Sequence, residues 1–261
     1  MVSSAVDNLA SRCNHKIDKA RLKAAVAPHF GDLLNAIPIS SVGLRLSDEA
    51  IRVAVAHRLG SHTCHPHTCI CGGQVDTRGL HGLACKKSTP RHIRHSKLND
   101  ILWRAVQKAQ VPACKEPVGL SRIDAKRPDG ATLVPWARGK PMACDVTVPD
   151  TYAQSHVNGT SIKAGTAADS AAAAKNAKYT DIANTHMFIS VAIETDGPWN
   201  VEAIELIQEI GRRITLINGE SRETEYLFQR ISIPFKRATI WPTRAPFKPN
   251  PIFNPKEDRV K

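Results

Sequence analysis

Two aspartates, Asp129 and Asp145, flank a turn-like segment and could hold a metal ion between them. An extended run begins at residues 133–134, residues 137–140 (Ala-Arg-Gly-Lys) are turn-like, and residues 142–148 are extended again. A hairpin that turns near Ala137 would place the two aspartates opposite each other. Two carboxylates that close repel unless a proton or a cation lies between them, and Mg²⁺ is the usual cation where phosphate is the substrate.

A simpler interpretation is that Asp129 caps a turn and Asp145 pairs with an arginine. Phosphodiester hydrolysis also needs a cationic group to offset the developing charge. Strand alternation places Thr147 on the face of Asp145, and sends Val146 and Val148 into the core. Restriction-type nucleases have a lysine at the position of Thr147, so a lysine from elsewhere would have to replace it.

Three residues of a predicted alanine-rich helix could supply that lysine. Lys175, Lys178 and Tyr179 are spaced i, i+3, i+4, so they share one helix face. If this face lies beside the hairpin, it brings Lys175 to the aspartates. A solvated lysine on an exposed helix is the simpler interpretation.

A second candidate site is a segment rich in cysteine and histidine. Cys69-Ile-Cys71, His81 after nine intervening residues and Cys85 after three more make a Cys₃His set. Four such ligands hold structural zinc in a tetrahedron. Cys64 and His67 are alternative ligands that could replace one of the first two cysteines, and a loop of free thiols is the simpler interpretation.

The net charge is +12, from 36 lysines and arginines and 24 acidic residues. This excess favours a polyanionic partner, nucleic acid first and an anionic membrane second, although solubility alone calls for about 2–8 charges. Hydrophobic residues make up 42% of the chain, enough to bury a core, but the 5% of aromatic residues leaves few base-stacking platforms. The sequence shows no long apolar run and no apolar signal core. We therefore expect the protein to lie in a reducing compartment, where its cysteines are thiols or metal ligands.

Hydrophobic periodicity predicts the elements that position these residues. Helices are predicted over residues 16–26, 48–60 behind an N-cap at Ser47, 92–110, 166–185, 201–216 and 223–241 with an interruption at Pro234. The apolar run of residues 186–194 predicts a strand covered on both faces, and residues 155–165 are predicted to be a loop. This order of elements predicts an α/β fold, with a small mixed sheet flanked by helices.

The motifs together resemble the C-terminal part of site-specific non-LTR retrotransposon polyproteins, in which a Cys/His zinc knuckle precedes a restriction-like endonuclease. In chain order, the resemblance rests on Cys69-x-Cys71-Gly72, His81-Gly-Leu-Ala-Cys85, Arg94-His95, Asn99, Arg127-Pro-Asp129, Asp145-Val-Thr-Val148 and Lys175-x-x-Lys178-Tyr179. It covers roughly residues 64–194. Each motif is short, but their order and spacing together are specific.

The resemblance implies a division of the chain into four segments. Residues 1–60 would be a helical segment, the tail of a polymerase-type polyprotein, and residues 61–90 a zinc knuckle. Residues 91–241 would form a PD-(D/E)xK restriction-endonuclease-like domain. The proline-rich, basic residues 242–261 would be a disordered tail.

The resemblance also implies a role for individual residues. Asp129 and Asp145 match the aspartates that bind catalytic Mg²⁺, and Lys175 matches a lysine that has moved from strand to helix. Tyr179, next to Lys178, matches the aromatic residue that closes the motif. The residues expected to face nucleic acid through phosphate contacts are Arg91, Arg94, His95 and Lys97.

By the same resemblance, the chain would nick target DNA, possess structural zinc, and act in the nucleus. DNA, with an RNA template, is the expected partner; no membrane and no small-molecule substrate is expected. The sequence lacks a Tyr-x-Asp-Asp polymerase signature. A non-catalytic zinc-containing nucleic-acid-binding fragment, or a transposon remnant, is the alternative. If the chain is a nuclease, Asp129, Asp145 and Lys175 should converge within about 4–6 Å.

Overall fold

The computed structural model describes residues 2–42, 44–85, 87, 89–120 and 127–239. Its helices are α1 (Val2–Arg12), α2 (Lys16–Ala25), α3 (Asp32–Asn35), α4 (Asp48–Leu59), α5 (His81–Ala84), α6 (Thr89–Lys108), α7 (Val157–Thr160), α8 (Thr166–Lys178), α9 (Val201–Asn218) and α10 (Glu223–Thr239). Its strands are β1 (His67–Thr68), β2 (Gln74–Val75), β3 (Ala113–Lys115), β4 (Gly130–Thr132), β5 (Met142–Thr147) and β6 (Met187–Ala192). The predicted disordered tail, residues 242–261, lies outside the described residues.

A four-stranded mixed sheet carries the predicted hairpin, but the first strand of the hairpin is Gly130–Thr132, and residues 133–134, where an extended run was predicted to begin, lie after that strand. The strand order of the sheet is β3-β4-β5-β6, with antiparallel pairs except for the parallel pair β5–β6. Gly130 pairs with Cys144 and Ala131 with Ala143, so the register places Asp129 opposite Asp145, as predicted. The predicted turn at residues 137–140 also forms, with positive φ at both central residues, the backbone of a type I′ turn.

Side chains of β5 alternate between two apolar clusters on opposite faces of the sheet. Cys144 and Val146 lie in the larger core, which α6, α9 and α10 help to form. Ala143 lies on the other face with Tyr179, at the end of α8. Asp145 shares the parity of Ala143, so its side chain points to the α8 face, as strand alternation predicts. The result is a small mixed sheet flanked by helices.

The predicted helices form, and their sequence signals explain most of their ends. Ser47 caps α4 by accepting the Ala50 N–H at 3.3 Å, and Gly60 ends it with a φ of 69°. α8 ends at Lys178, earlier than predicted, and a single 3₁₀ turn follows. The predicted interruption at Pro234 is wrong: α10 runs through it, because packing on α6 and α9 supports the helix where one backbone hydrogen bond is lost.

The sequence did not predict the 11-residue helix α1, and the other elements that it missed are short. They include β3 and the one-turn helix α7, which lies where a loop was predicted. Among the N-terminal helices, α3 and α4 pack on α10 and share a small apolar cluster of Leu33, Ala54 and Ile233. Within the described ranges, no helix combines the length and the apolar character that a membrane span requires.

Candidate metal centre and carboxylate site

The Cys/His cluster, defined as Cys69, Cys71, His81 and Cys85, brings its four ligand atoms within 4.8 Å of one another. Cys69 Sγ lies 3.7 Å from Cys85 Sγ, and Cys71 Sγ lies 3.1 Å from His81 Nε2. A zinc–sulfur bond of about 2.3 Å gives a tetrahedral edge of about 3.8 Å between sulfurs. The predicted set therefore comes together with the spacing that a zinc-like metal ion needs.

The backbone places these ligands by a tight turn and one helical turn. Between β1 and β2, the Gly72 N–H donates to Cys69 O at 2.8 Å, and Gly72 has the left-handed φ of 87° that favours glycine. α5 then sets His81 and Cys85 one turn apart. Gly73 is required for space, since a Cβ there would lie 2.5 Å from His81 Cε1.

The thiols of the segment differ in their protonation and in their partners. The Gly73 N–H donates to Cys71 Sγ at 3.4 Å, and this bond, together with weaker ones from Cys85, Cys69 and His81, lowers the pKa of Cys71 to about 6, which favours the metal-binding thiolate. Burial raises the pKa of Cys85. Cys64 is not part of the cluster: its buried thiol donates to Asp76 O at 3.2 Å. His67 also turns away, with Nδ1 2.9 Å from His65 O, so the alternative ligands are not used.

Asp145 is the centre of a second group, the carboxylate site, which we define as Asp129, Asp145, Lys175, Tyr179 and His95. Asp145 is only 4% exposed, and Lys175 Nζ lies 2.5 Å from its Oδ1. Tyr179 OH donates to its Oδ2 at 2.7 Å. Apart from this ion pair, Oδ1 receives no well-aligned hydrogen bond from the described residues. The predicted approach of Lys175 to Asp145 is confirmed, and the predicted arginine pairing is replaced by a lysine.

Asp129 lies at the start of β4, beside the backbone of β5. Its Oδ2 accepts the Val146 N–H at 2.6 Å. His95 Nε2 lies 3.2 Å from the same Oδ2 and 3.2 Å from Val146 O. The hydrogen bond with Asp129 raises the pKa of His95, and the charge of Asp145 raises it further. Asp129, Asp145 and His95 are not drawn together as closely as the four ligands of the Cys/His cluster.

A close contact fixes Asp129 relative to α6. A Cβ on Gly130 would lie 2.2 Å from Cε2 of Trp103, so the indole ring occupies the space that any other residue would need. Trp103 is 1% exposed and belongs to the larger core. The glycine that follows Asp129 thus allows α6, which also carries His95, to pack directly on the start of β4.

Tyr179 also has a structural role, besides closing the sequence motif to which it belongs. It is 1% exposed and packs on Phe188, with a ring separation of 4.8 Å. Its hydroxyl also lies 2.9 Å from Arg127 O, and Lys178 Nζ donates to it at 3.0 Å. The exposed Lys178 therefore reaches Asp145 only through Tyr179, whereas Lys175 contacts the carboxylate directly.

The residues expected to face nucleic acid have different environments. Arg91 and Lys97 are exposed on α6. Arg94 does not face solvent, contrary to the expectation: it is 1% exposed, its Nη2 donates to Leu83 O, and burial lowers its pKa to about 10. Because Leu83 lies in α5, Arg94 joins α6 to the Cys/His segment. His95 belongs to the carboxylate site, a contact that the sequence did not indicate.

Glu194 is a buried carboxyl group to which the sequence analysis gave no role. Its Oε1 accepts the N–H of Ala167 at 2.9 Å, at the start of α8, and burial raises its pKa to about 7. The β5–β6 register pairs Asp145 with Ser190, four residues before Glu194, so this group lies outside the carboxylate site.

The two groups offer different chemistry. The Cys/His cluster offers soft sulfur and nitrogen ligands, which suit zinc and related ions. The carboxylate site offers hard oxygen ligands next to a fixed lysine, the set that a phosphate reaction uses. No protein-family model and no curated protein sequence matches this chain.

Proposed function

We propose that this chain is a Mg²⁺-dependent DNA endonuclease of the PD-(D/E)xK type, related to the nicking domain of non-LTR retrotransposon proteins and acting on nuclear DNA. The observation that carries the proposal is the ion pair of 2.5 Å between Lys175 Nζ and Asp145 Oδ1 on the α8 face of the sheet. A helix thereby supplies the lysine that β5 lacks at Thr147. Asp129 stands opposite Asp145 in the strand register.

The oxygen atoms available fit a hard divalent cation. Asp145 Oδ1 is buried and accepts no well-aligned hydrogen bond from the described residues, so an ion that replaced the Lys175 ammonium would meet an unsatisfied oxygen. Asp129 is 16% exposed, which leaves a route from solvent. Bound there, Mg²⁺ would polarise the phosphodiester and lower the pKa of a water molecule.

The protein groups would hold and orient the reacting parts. Tyr179 fixes the Asp145 carboxylate through its 2.7 Å hydrogen bond to Oδ2, which leaves Oδ1 facing Lys175. Lys175, with its side chain 27% exposed, can follow a phosphate and offset the negative charge that develops on it. Asp129, held by the Val146 N–H, supplies the second carboxylate.

In this proposal the Cys/His cluster binds structural zinc and serves to position DNA. The cluster lies next to α6 in the chain, whose exposed Arg91 and Lys97 would contact phosphates. The net charge of +12 would add a long-range attraction to a polyanion. DNA, or an RNA template held beside it, is the partner that this charge favours.

Asp145→Asn tests the proposal. Asparagine keeps the shape and can still accept the Tyr179 hydroxyl, but it removes the charge that a metal ion needs. We expect nicking of supercoiled plasmid DNA in Mg²⁺ to fall at least about a hundredfold, the order of a lost electrostatic contribution to catalysis. Asp169→Asn is the matched control, because Asp169 is an exposed carboxylate on α8; nicking should be unchanged.

Circular dichroism and DNA-binding assays separate the possible results. Equal nicking by wild type and Asp145→Asn, with both proteins folded, would contradict the proposal. If the wild-type protein binds duplex DNA without cleaving it in Mg²⁺ or Mn²⁺, the chain is a non-catalytic binding module. Binding would fall with salt in either case, so salt dependence does not decide.

A further inference from the structure

His95 reaches the carboxylate site from the opposite side of the sheet. It belongs to α6, which packs on the larger core, whereas Lys175 and Tyr179 come from the α8 side. Its Nε2 lies 3.2 Å from both Asp129 Oδ2 and Val146 O. The nitrogen faces both oxygens, an arrangement that suits a bifurcated N–H hydrogen bond and also coordination of one ion by all three atoms.

These separations match the edges of a metal coordination polyhedron. Ligands at about 2.0–2.2 Å in neighbouring octahedral positions are about 3.0 Å apart. Both separations from the His95 nitrogen, 3.2 Å to Asp129 Oδ2 and 3.2 Å to Val146 O, are close to such an edge. The His95 side chain is 42% exposed, which leaves an ion a path from solvent.

We propose that His95 is a metal ligand of the carboxylate site through Nε2, and that it makes the site prefer first-row transition ions such as Mn²⁺ over Mg²⁺. The inference rests on the proposed function, since it concerns the same metal. Asp129 Oδ2 and Val146 O are its neighbouring ligands.

The preference follows from ligand chemistry. Carboxylate and carbonyl oxygens suit Mg²⁺ and Mn²⁺ alike, whereas imidazole binds transition ions better than Mg²⁺. Mg²⁺ also gives up its water ligands reluctantly. Adding one imidazole to an oxygen set should therefore strengthen Mn²⁺ binding much more than Mg²⁺ binding.

The decisive measurement is electron spin echo spectroscopy of Mn²⁺ bound to the full chain whose Cys/His cluster has first been filled with zinc. Direct ligation by His95 gives a ¹⁴N modulation from the imidazole, and His95→Ala should remove it. Calorimetry on the same proteins should show Mn²⁺ affinity falling at least about tenfold in His95→Ala, with Mg²⁺ affinity changing less than about threefold. His95→Gln keeps a side chain that can hydrogen bond to Asp129, so it should stay folded even where His95→Ala does not, and it should also lose the ¹⁴N signal.

His92→Ala is the matched control, because His92 is exposed on the same helix, and it should retain the signal. If Mn²⁺ binding depends on Asp129 and Asp145 but gives no ¹⁴N modulation, the His95 inference is overturned and the proposed nuclease function stands. Absence of any Mn²⁺ or Mg²⁺ binding that depends on these aspartates would overturn both. A Mn²⁺ to Mg²⁺ preference that is the same in wild type and His95→Ala would also overturn the inference.

Discussion

The Cys/His cluster and the carboxylate site differ in what holds their ligands in place. The cluster is carried by two-residue strands and a one-turn helix, with few buried apolar side chains, chiefly Val75 and Leu83. The carboxylate site is built on β5, which lies between an extensive core and α8. We therefore expect a segment with so little apolar surface to depend on a metal to fold, whereas burial should stabilise the sheet without one.

If both groups bind metal, metal binding would cause the Cys/His segment to fold, whereas the carboxylate site would form before its ion binds. The cysteines and His81 would fold their segment by binding metal. The carboxylates are held by protein contacts, including Tyr179 and the Val146 N–H, before any metal arrives. Arg94 connects the two regions, because it is buried on α6 and bonded to Leu83.

Metal removal should give the largest difference between the regions. A strong chelator of zinc should unfold residues 61–85, since structural zinc in zinc-finger peptides contributes roughly 10–16 kcal/mol of binding free energy. Amides of β5 and β6 should remain protected. Hydrogen exchange with mass spectrometry, before and after chelation, measures both regions in one experiment.

Cys71→Ser should reproduce the effect of the chelator, because it removes one ligand. Cys13→Ser is the matched control: Cys13 lies outside the cluster and is only partly buried. Protection of residues 61–85 that survives both chelation and Cys71→Ser would show that this segment folds without metal, and the contrast between the regions would disappear.

The sequence predicted the Cys/His cluster because its ligands lie within 17 residues, from Cys69 to Cys85, and glycines mark the turns between them. It also predicted the register of the hairpin, since two strands and one turn are a local arrangement. Lys175 could be predicted because a helical face and a strand face each have a fixed period. For the cluster and the hairpin the relevant geometry is set by neighbouring residues, whereas the docking of the α8 face beside the hairpin is a tertiary contact that only the family resemblance implied.

His95 and Arg94 show what local patterns leave out. Both lie on α6, where apolar periodicity identifies the core face through Leu98 and Leu102. The same periodicity does not show which neighbours a polar residue contacts at the edge of that face. Their roles depend on where β4 and α5 dock, which is a tertiary property. A charged residue such as Arg94 is predicted to be exposed because buried arginines are rare.

Glu194 should give the second largest effect, a pH-dependent change in the free energy of unfolding of the sheet region. Its pKa in the folded protein is about 7, raised by burial, against an ordinary value of 4.5. Between these values the folded state holds a proton that the unfolded state has lost, so the free energy of unfolding falls as pH rises through this window, by about 3 kcal/mol in all. Glu194→Gln should remove this fall, so the variant gains stability relative to wild type as pH rises from 5 to 8.

Urea unfolding at several pH values measures this effect. Glutamine can still accept the Ala167 N–H through its carbonyl, so the helix start is preserved. Glu205→Gln, an exposed change on α9, should follow the wild-type profile. The contrary result is a stability difference between Glu194→Gln and wild type that stays constant from pH 5 to pH 8. That result would mean that Glu194 is ionised in the folded protein over this whole range.

Gly130→Ala should have the smallest effect on stability but acts at the point where α6 fixes the carboxylate site. The added Cβ would lie 2.2 Å from the Trp103 ring, so the ring or the start of β4 must move, at a cost of about 1–3 kcal/mol. Gly31→Ala is the matched control, since nothing lies within 4 Å of its Cβ, and it should be neutral or slightly stabilising. Thermal unfolding gives the cost, and Mn²⁺ binding shows whether Asp129 and His95 have separated.

If Gly130→Ala loses stability while residues 61–85 keep their exchange protection, the carboxylate site depends on the packing of α6 and the Cys/His segment does not. If both regions lose protection together, Arg94 couples them more strongly than the contrast between metal-driven and burial-driven folding allows.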